Sequence, residues 1–452
     1  MLAPSVDRQK LHQISRGERA KFVELRPRSA AMWKQAKQSM PNGVPMSWMR
    51  YFYDAPPLFV DRGRGARFWD VDGREYSDFN IADMSMFCGY APEPIVDAVS
   101  KRVALGSQFM LATQDALWVA DELARRYGRP KWQFTLSASQ ANVEALRVAR
   151  AATGRDKVLL FDGKYHGHFD DALVQLRDGH LEPEEAGLPP GLSGRTKIVQ
   201  FNDVVALEQA LAPRDVAAVL TEPALTNVVG LLLPEPGFHD ALRDQTRTTG
   251  TVLVLDETHT QVTGAGGLTQ SWELDPDIVT LGKSIAGGIP LGAYGMSEPL
   301  ASVHERPVAA HDGHPPVASG GTLFGNPLSM AAAKAALGEV LMDEAYAHTQ
   351  ALGQRLADGM AGCIAAAGLP WSVQRLGPRS GTTFAPALPR NALEAYAASD
   401  LELSHTMSIY LANRGIWEAL IGAGPTCSIP ATREDVDLYL DGYRSFVEEL
   451  TG

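Results

Sequence analysis

Thr251-Val-Leu-Val-Leu-Asp-Glu-Thr-His-Thr260 and Asp277-Ile-Val-Thr-Leu-Gly-Lys283 decide how this chain is read. Each is an apolar run that ends on a charged side chain, Asp256 in the first and Lys283 in the second. Continuous apolar runs of this length predict strands buried on both faces of a sheet. An ion at the end of such a strand is costly unless it is paired. Burial also lowers an amine's pKa and makes it a better nucleophile.

Further runs lie on either side of these two. Trp132–Leu136, Val158–Phe161, Val216–Leu220 and Leu291–Tyr294 alternate with helical segments between about residues 95 and 325. This rhythm predicts an α/β fold: a mostly parallel sheet flanked by helices, with ligands bound beyond the strand C-termini. Residues 1–40 read as amphipathic helix, with Leu11, Ile14, Phe22 and Leu25 set among charges. After a break at Met40-Pro-Asn-Gly-Val-Pro45, a strand–turn–strand pattern runs from Leu58 to Arg74. Residues 326–360 read as one long alanine-rich helix opened by Pro327, and a last helix begins near Arg433. The predicted organisation is an N-terminal segment 1–75, a large domain 76–326 and a C-terminal part 327–452, the two terminal parts together forming a smaller α/β domain. Glycines and prolines between Gly187 and Gly194 mark a surface loop.

The chain has 452 residues, 45% hydrophobic and 21% charged, which suits an ordinary globular protein of two or three cores. A formal net charge of −12 argues against nucleic acid or an anionic membrane as partner. Cys88, Cys363 and Cys427 form neither a metal-ligand spacing nor a disulfide framework, which fits a reducing cytoplasm. The first residues lack the apolar core of a signal peptide, and no run is long enough to span a membrane. A cytoplasmic location without a bound metal is the expectation.

Several motifs sit at the predicted strand ends. Ser137-Ala-Ser-Gln-Ala-Asn142 lies between a strand and a helix expected to begin near Gln140, where small residues and free N–H groups suit a phosphate; a plain serine cap is the alternative. Tyr165-His166-Gly167 follows the next strand, and an aromatic ring there can stack on a flat heterocycle or simply pack in the core. Glu222 ends another strand, with Asn227 five residues on. Gly320-Gly-Thr322-Leu-Phe-Gly-Asn-Pro327 again offers a hydroxyl among glycines. Gly282-Lys-Ser284 is not a nucleotide P-loop, because the earlier glycine is missing. A lysine amine and an acid at the C-terminal ends of two buried strands together suit pyridoxal 5'-phosphate, whose aldehyde takes a lysine as Schiff base and whose ring nitrogen needs an anion.

Through these motifs, in this order and at these strand ends, the chain resembles the class III aminotransferases of PLP fold type I. It is most similar to the branch that holds glutamate-1-semialdehyde aminomutase and β-amino-acid aminotransferases. The likeness runs from about Met40 to the C-terminus through Met40-Pro-Asn-Gly-Val44, Asp70-Val-Asp-Gly73, Tyr165-His-Gly-His168, Glu222-Pro223, Asp256-Glu257, Leu281-Gly-Lys283 and Gly321-Thr-Leu-Phe-Gly-Asn-Pro327. By that resemblance Lys283 would carry the Schiff base, Asp256 would pair with the ring nitrogen and Tyr165 would stack on the ring. Ser137, Ala138 and Ser139 would hold the phosphate. His166, Glu222, Asn227 and Thr258 would lie around the ring, Thr258 on the face opposite Tyr165. Thr322 would reach the phosphate held by a second copy, which implies at least a homodimer with cofactor sites at the interface. Substrate-side residues would be Arg50, Asp83, Met86 and His259, although a packing or supporting role is the first reading of His259.

The chain also departs from the family pattern. Ser-Gly-Thr-Glu-Ala is replaced by Ser137-Ala-Ser-Gln-Ala141, Val and then Met or Gln by Thr258 and His259, and Gly-His-x-His-Pro by Gly89-Tyr-Ala-Pro92. The first functional expectation is an aminotransferase that moves an amino group from an amine, ω-amino or β-amino acid to an oxo acid or ketone by a ping-pong route. The alternatives are an intramolecular aminomutase or a racemase on the same machinery, and a non-catalytic PLP-binding protein.

Overall fold

The computed structural model describes residues 6–51, 56–177, 179–305, 317–418 and 424–452. Two compact units emerge, one from Met1–Pro92, Ala347–Leu388 and Tyr396–Gly452, the other from Glu93–Tyr346 and Pro389–Ala395. The boundaries fall after Pro92 and Tyr346, where the sequence reading set them at 75/76 and 326/327. Packing moves the second boundary: Pro327–Ala335 lies against Glu93–Leu105 and Gln114–Tyr127, so the helix expected to open the small domain belongs to the large unit.

The large unit is built on a seven-stranded sheet. In sheet order its strands are Lys131–Thr135, Gly292–Met296, Ile278–Leu281, Val252–Asp256, Val216–Thr221, Lys157–Phe161 and Thr196–Val199. Only Gly292–Met296 runs antiparallel to its neighbours. Six of the seven strands therefore present their C-terminal ends to one edge. Alternate residues of one strand serve opposite faces. Val158, Leu160, Val252 and Val254 pack with Ala141, Ala145 and Leu146 of the helix Ala138–Thr153. Leu159, Phe161, Leu253 and Leu255 pack with Leu207, Leu211, Phe238 and Leu242 on the other side. All six expected runs became strands of this sheet. The edge strand Thr196–Val199 was not expected; it is short and only partly apolar.

The expected single helix over 326–360 is two helices. Asn326 caps Pro327–Ala335 by accepting from the Ser329 N–H at 2.8 Å. A π-turn over Ala336–Val340 follows, and Leu341 leaves helical geometry before Asp343–Ala366 begins. Arg126 explains part of the break, since its guanidinium takes the Leu337 and Leu341 carbonyls at 2.7 and 3.0 Å. Carbonyls drawn to a side chain are lost to the regular helical ladder.

The smaller unit carries a four-stranded sheet ordered Val60–Arg64, Arg67–Asp70, Glu75–Asp78 and Ile416–Trp417. Strands from both ends of the chain meet there, because Ile416 pairs in parallel with Ser77. The helices Arg8–Glu24, Leu401–Ala412 and Arg433–Thr451 share a core that includes Leu11, Phe79, Tyr410, Tyr439 and Phe446. Thr432 and Asp435 cap the last helix reciprocally, close to its expected start. Among the described residues no helix is long and apolar enough to cross a membrane.

Candidate active site

Asp256 ends the central strand, 3% exposed, and its partners Asn142, His166 and Thr258 are donors on the large unit. One carboxylate oxygen accepts from Asn142 Nδ2 at 2.8 Å and pairs with His166 Nδ1 at 2.9 Å. The other accepts from the Thr258 N–H at 3.0 Å. Burial pushes the carboxyl up, but the bonds from His166, Thr258 and Asn142 and the charge of His166 outweigh it, so the group stays below its ordinary range. Asn142 is itself fixed: its Oδ1 accepts from the Thr280 hydroxyl at 2.6 Å, and its Nδ2 also reaches the His166 carbonyl at 2.8 Å. Neither Asn142 nor Thr280 was singled out in the sequence. A buried asparagine inside a helix is the signal that could have exposed the first, since asparagine is a poor helix residue without a specific bond to make.

The neighbouring Glu257 is different. It is fully buried, accepts from the Leu268 N–H at 3.2 Å, and also bonds the Thr269 N–H and the Thr260 hydroxyl. Burial raises its pKa despite those donors. It ties its own loop together.

Lys283 follows the strand Ile278–Leu281 after Gly282. Its φ is 51°, a left-handed conformation that costs a side-chain-bearing residue about 1–2 kcal/mol. Gln261 helps to hold it: its amide nitrogen donates to the Gly282 carbonyl at 2.9 Å and the Thr258 carbonyl at 2.8 Å, joining the two loops. The Lys283 amine lies 2.6 Å from His259 Nε2. His259 is buried, with Nδ1 3.2 Å from the Thr226 hydroxyl and 3.7 Å from Glu222. Glu222 accepts from the Thr226 N–H and hydroxyl at 3.1 and 2.5 Å. Asn227 Nδ2 lies 3.5 Å from both ring nitrogens of His259. Four residues picked from the sequence, Lys283, His259, Glu222 and Asn227, are thus one connected group, to which Thr226 and Gln261 are added.

A helix start sits beside them. The helix begins at Ala138, two residues earlier than expected, with Ser137 as its cap accepting from the Gln140 N–H at 3.3 Å. First-turn N–H groups have no partner within the helix. Three glycines allow other segments to approach this turn: a Cβ at Gly282 would meet Ala138 N at 2.9 Å, one at Gly292 the Ser137 carbonyl at 2.2 Å, and one at Gly167 the Ser139 hydroxyl at 2.1 Å. The Ser139 hydroxyl accepts from the His168 N–H at 3.3 Å.

Tyr165 is half-buried after the strand Lys157–Phe161. Thr322 is exposed, its carbonyl bonded by Gln108 Nε2. Arg50, Asp83 and Met86 belong to the smaller unit. Arg50 is half-buried on the short helix Trp48–Tyr51, its guanidinium 5.4 Å from the Trp33 ring centre. Asp83 is exposed within a run of left-handed residues from Ile81 to Met84. Met86 is half-buried just beyond that run.

These residues fit pyridoxal phosphate. An amine, a charged acid held by donors and a helix start for phosphate converge at the strand C-termini of one sheet. Two buried polar atoms next to the acid, His166 Nε2 and the Thr258 hydroxyl, lack a hydrogen-bond partner of good geometry among the described residues. Unsatisfied buried polar atoms ask for a partner, and a polar heterocycle beside Asp256 supplies one.

Comparison with known proteins agrees with this arrangement. Residues 51–378 match the family model Aminotransferase class-III. Glutamate-1-semialdehyde 2,1-aminomutase of Gemmatimonas aurantiaca is 37% identical over 79% of this chain and 81% of its own. The crystal structure of a glutamate-1-semialdehyde-aminomutase from Pseudomonas aeruginosa PAO1 matches with a TM-score of 0.93 and 38% identity, covering 98% of this chain and 99% of that one. A lysine-to-alanine variant of that protein was solved in complex with PMP. An omega-transaminase from Sphaerobacter thermophilus matches with a TM-score of 0.87 and 29% identity over 94% of this chain and 98% of that one.

Proposed function

The chain belongs to the class III aminotransferases, pyridoxal-phosphate-dependent enzymes of fold type I that act on small molecules, and from that membership we propose that it is an intramolecular aminomutase of the glutamate-1-semialdehyde type. The observation that carries this reading is the likeness to the Pseudomonas aminomutase, 38% identical over 98% of the chain. It reverses the order of the readings drawn from the sequence, where transfer to a separate oxo acid stood first.

Bound pyridoxal phosphate supplies an aldehyde that takes up amines and a ring that draws electrons from the substrate carbon. The protein's residues do the rest. Asp256, kept ionised by its donors, would hold a proton on the ring nitrogen. Lys283 would hold the aldehyde and, once displaced, carry a proton to and from the substrate carbon at Nζ; positioned proton transfer of this kind gives about 10²–10⁴-fold. Ser137, Ala138 and Ser139 would bind phosphate at the helix start, while Tyr165 and Thr258 would flank the ring. Arg50 would take a substrate carboxylate, with Asp83 and Met86 shaping the same end. Arg50→Ala should then raise KM for a carboxylate substrate about tenfold or more with kcat little changed; an unchanged KM removes the residue from the site. We further propose a cytoplasmic homodimer in which Thr322 reaches the phosphate held by a second copy, which sedimentation of the purified chain would check.

Transfer between two molecules is the second reading. It is supported by the likeness to the Sphaerobacter transaminase. Acceptor dependence separates the two. The purified enzyme should convert glutamate-1-semialdehyde with no oxo acid added, whereas turnover only with pyruvate or 2-oxoglutarate and an amine donor would make it an aminotransferase.

A further inference from the structure

We propose that His259 exchanges a proton directly with the Lys283 amine, with Glu222 behind it carrying the balancing charge. The inference rests on Lys283 being the amine that holds the cofactor.

The hydrogen-bond geometry assigns the histidine's tautomer. The Thr226 hydroxyl lies 2.5 Å from Glu222 Oε2, and a carboxylate can only accept, so the hydroxyl proton points to Glu222. The Thr226 oxygen is then left as an acceptor for His259 Nδ1 at 3.2 Å. Nδ1 therefore carries the ring proton, and the lone pair of Nε2 faces the Lys283 amine at 2.6 Å. Asn227 Nδ2 lies 3.5 Å from both ring nitrogens, farther than the Thr226 hydroxyl is from Nδ1 and the Lys283 amine from Nε2.

The proton step balances within these residues. An N–H bond of the Lys283 ammonium breaks and an N–H bond forms at His259 Nε2. The result is a neutral amine, the form that attacks a carbonyl, and an imidazolium whose charge lies 3.7 Å from Glu222. The reverse step restores the ammonium. Of the other acids nearby in sequence, Asp256 is held by Asn142, His166 and Thr258, and Glu257 by Leu268, Thr269 and Thr260. Glu222 is thus the carboxylate that faces the His259 ring. Gln261 keeps the loop of His259 and the loop of Lys283 in register through its two carbonyl contacts.

The test is the rate at which the full-length apoprotein captures pyridoxal phosphate at Lys283, followed by absorbance across pH 5–10 (a range about the ordinary histidine and lysine values). Wild type should show a rate that rises through the histidine range. His259→Gln should lose that inflection, shift its rise toward the lysine range and capture about tenfold or more slowly near pH 7. Glu222→Gln should keep the inflection and move it to lower pH, since the imidazolium loses its partner. A fold control comes from imidazole added to His259→Ala, which should restore part of the neutral-pH rate. Matching profiles in wild type and His259→Gln overturn the proposal while leaving the function intact. Absence of label on Lys283 in wild type overturns both.

Discussion

Asp256 in the large unit and Glu418 in the smaller one are both buried carboxyls, and their surroundings drive them in opposite directions. Asp256 faces an imidazole, an amide and a backbone N–H, and it is held below its ordinary range. Glu418 accepts from two hydroxyls, Ser408 at 2.9 Å and Tyr439 at 2.6 Å, and burial pushes it up to about 7. Both are almost wholly buried, so depth does not distinguish them. What keeps a buried acid charged is the charge and kind of the donors that face it. The first arrangement makes an anion ready to hold a proton on another group; the second makes an acid that keeps its proton to higher pH than an ordinary glutamate.

The strongest way to break this contrast is to neutralise each acid in turn. Asp256→Asn should lower turnover about 10²–10³-fold with the fold intact by circular dichroism, whereas Glu418→Gln should leave kcat within about twofold. Equal losses would mean that both acids serve the fold alone. A smaller change thins the donors. Asn142→Ala removes one bond from Asp256 and leaves the Thr280 hydroxyl without its acceptor, so stability should drop by about 1–3 kcal/mol and turnover by roughly tenfold. Urea unfolding alongside steady-state kinetics would report both; an unchanged rate would make the asparagine a packing residue.

The two acids also predict opposite pH dependence of stability. Glu418 binds its proton more tightly folded than unfolded, so its contribution is full below about pH 4.5 and is lost as pH rises through about 7. Asp256 contributes fully above about pH 3.8, and that contribution is lost as pH falls through its lower folded value. Glu418→Gln should therefore flatten the melting temperature between pH 4.5 and 7. A wild-type curve already flat there contradicts the assignment. The smallest effect is expected at Thr258, whose hydroxyl is buried without a partner of good geometry among the described residues. Thr258→Val should change apoprotein stability by less than about 1 kcal/mol, because no bond is lost. It should still weaken cofactor binding measurably in a fluorescence titration, and unchanged affinity would remove Thr258 from the ring's surroundings.

The sequence disclosed the frame better than its supports. Val252–Leu255 and Ile278–Leu281 are legible because strands buried on both faces leave unbroken apolar runs, and a charge at the end of such a run stands out. Thr196–Val199 escaped because an edge strand carrying Lys197 has no such run. The break near Leu341 escaped because it depends on Arg126, far away in the chain. Asn142, Thr226, Thr280 and Gln261 are single polar residues whose roles exist only once separate strands lie side by side. His259 was visible as a departure, but its contact with Lys283 follows from two loops clamped by Gln261 and not from spacing.

Reduction of the loaded enzyme with borohydride, followed by peptide mapping, tests the central claim most directly. One pyridoxyl group per chain is expected, on the peptide that contains Lys283. A stable label on any other lysine, or none after saturation with pyridoxal phosphate, would contradict it.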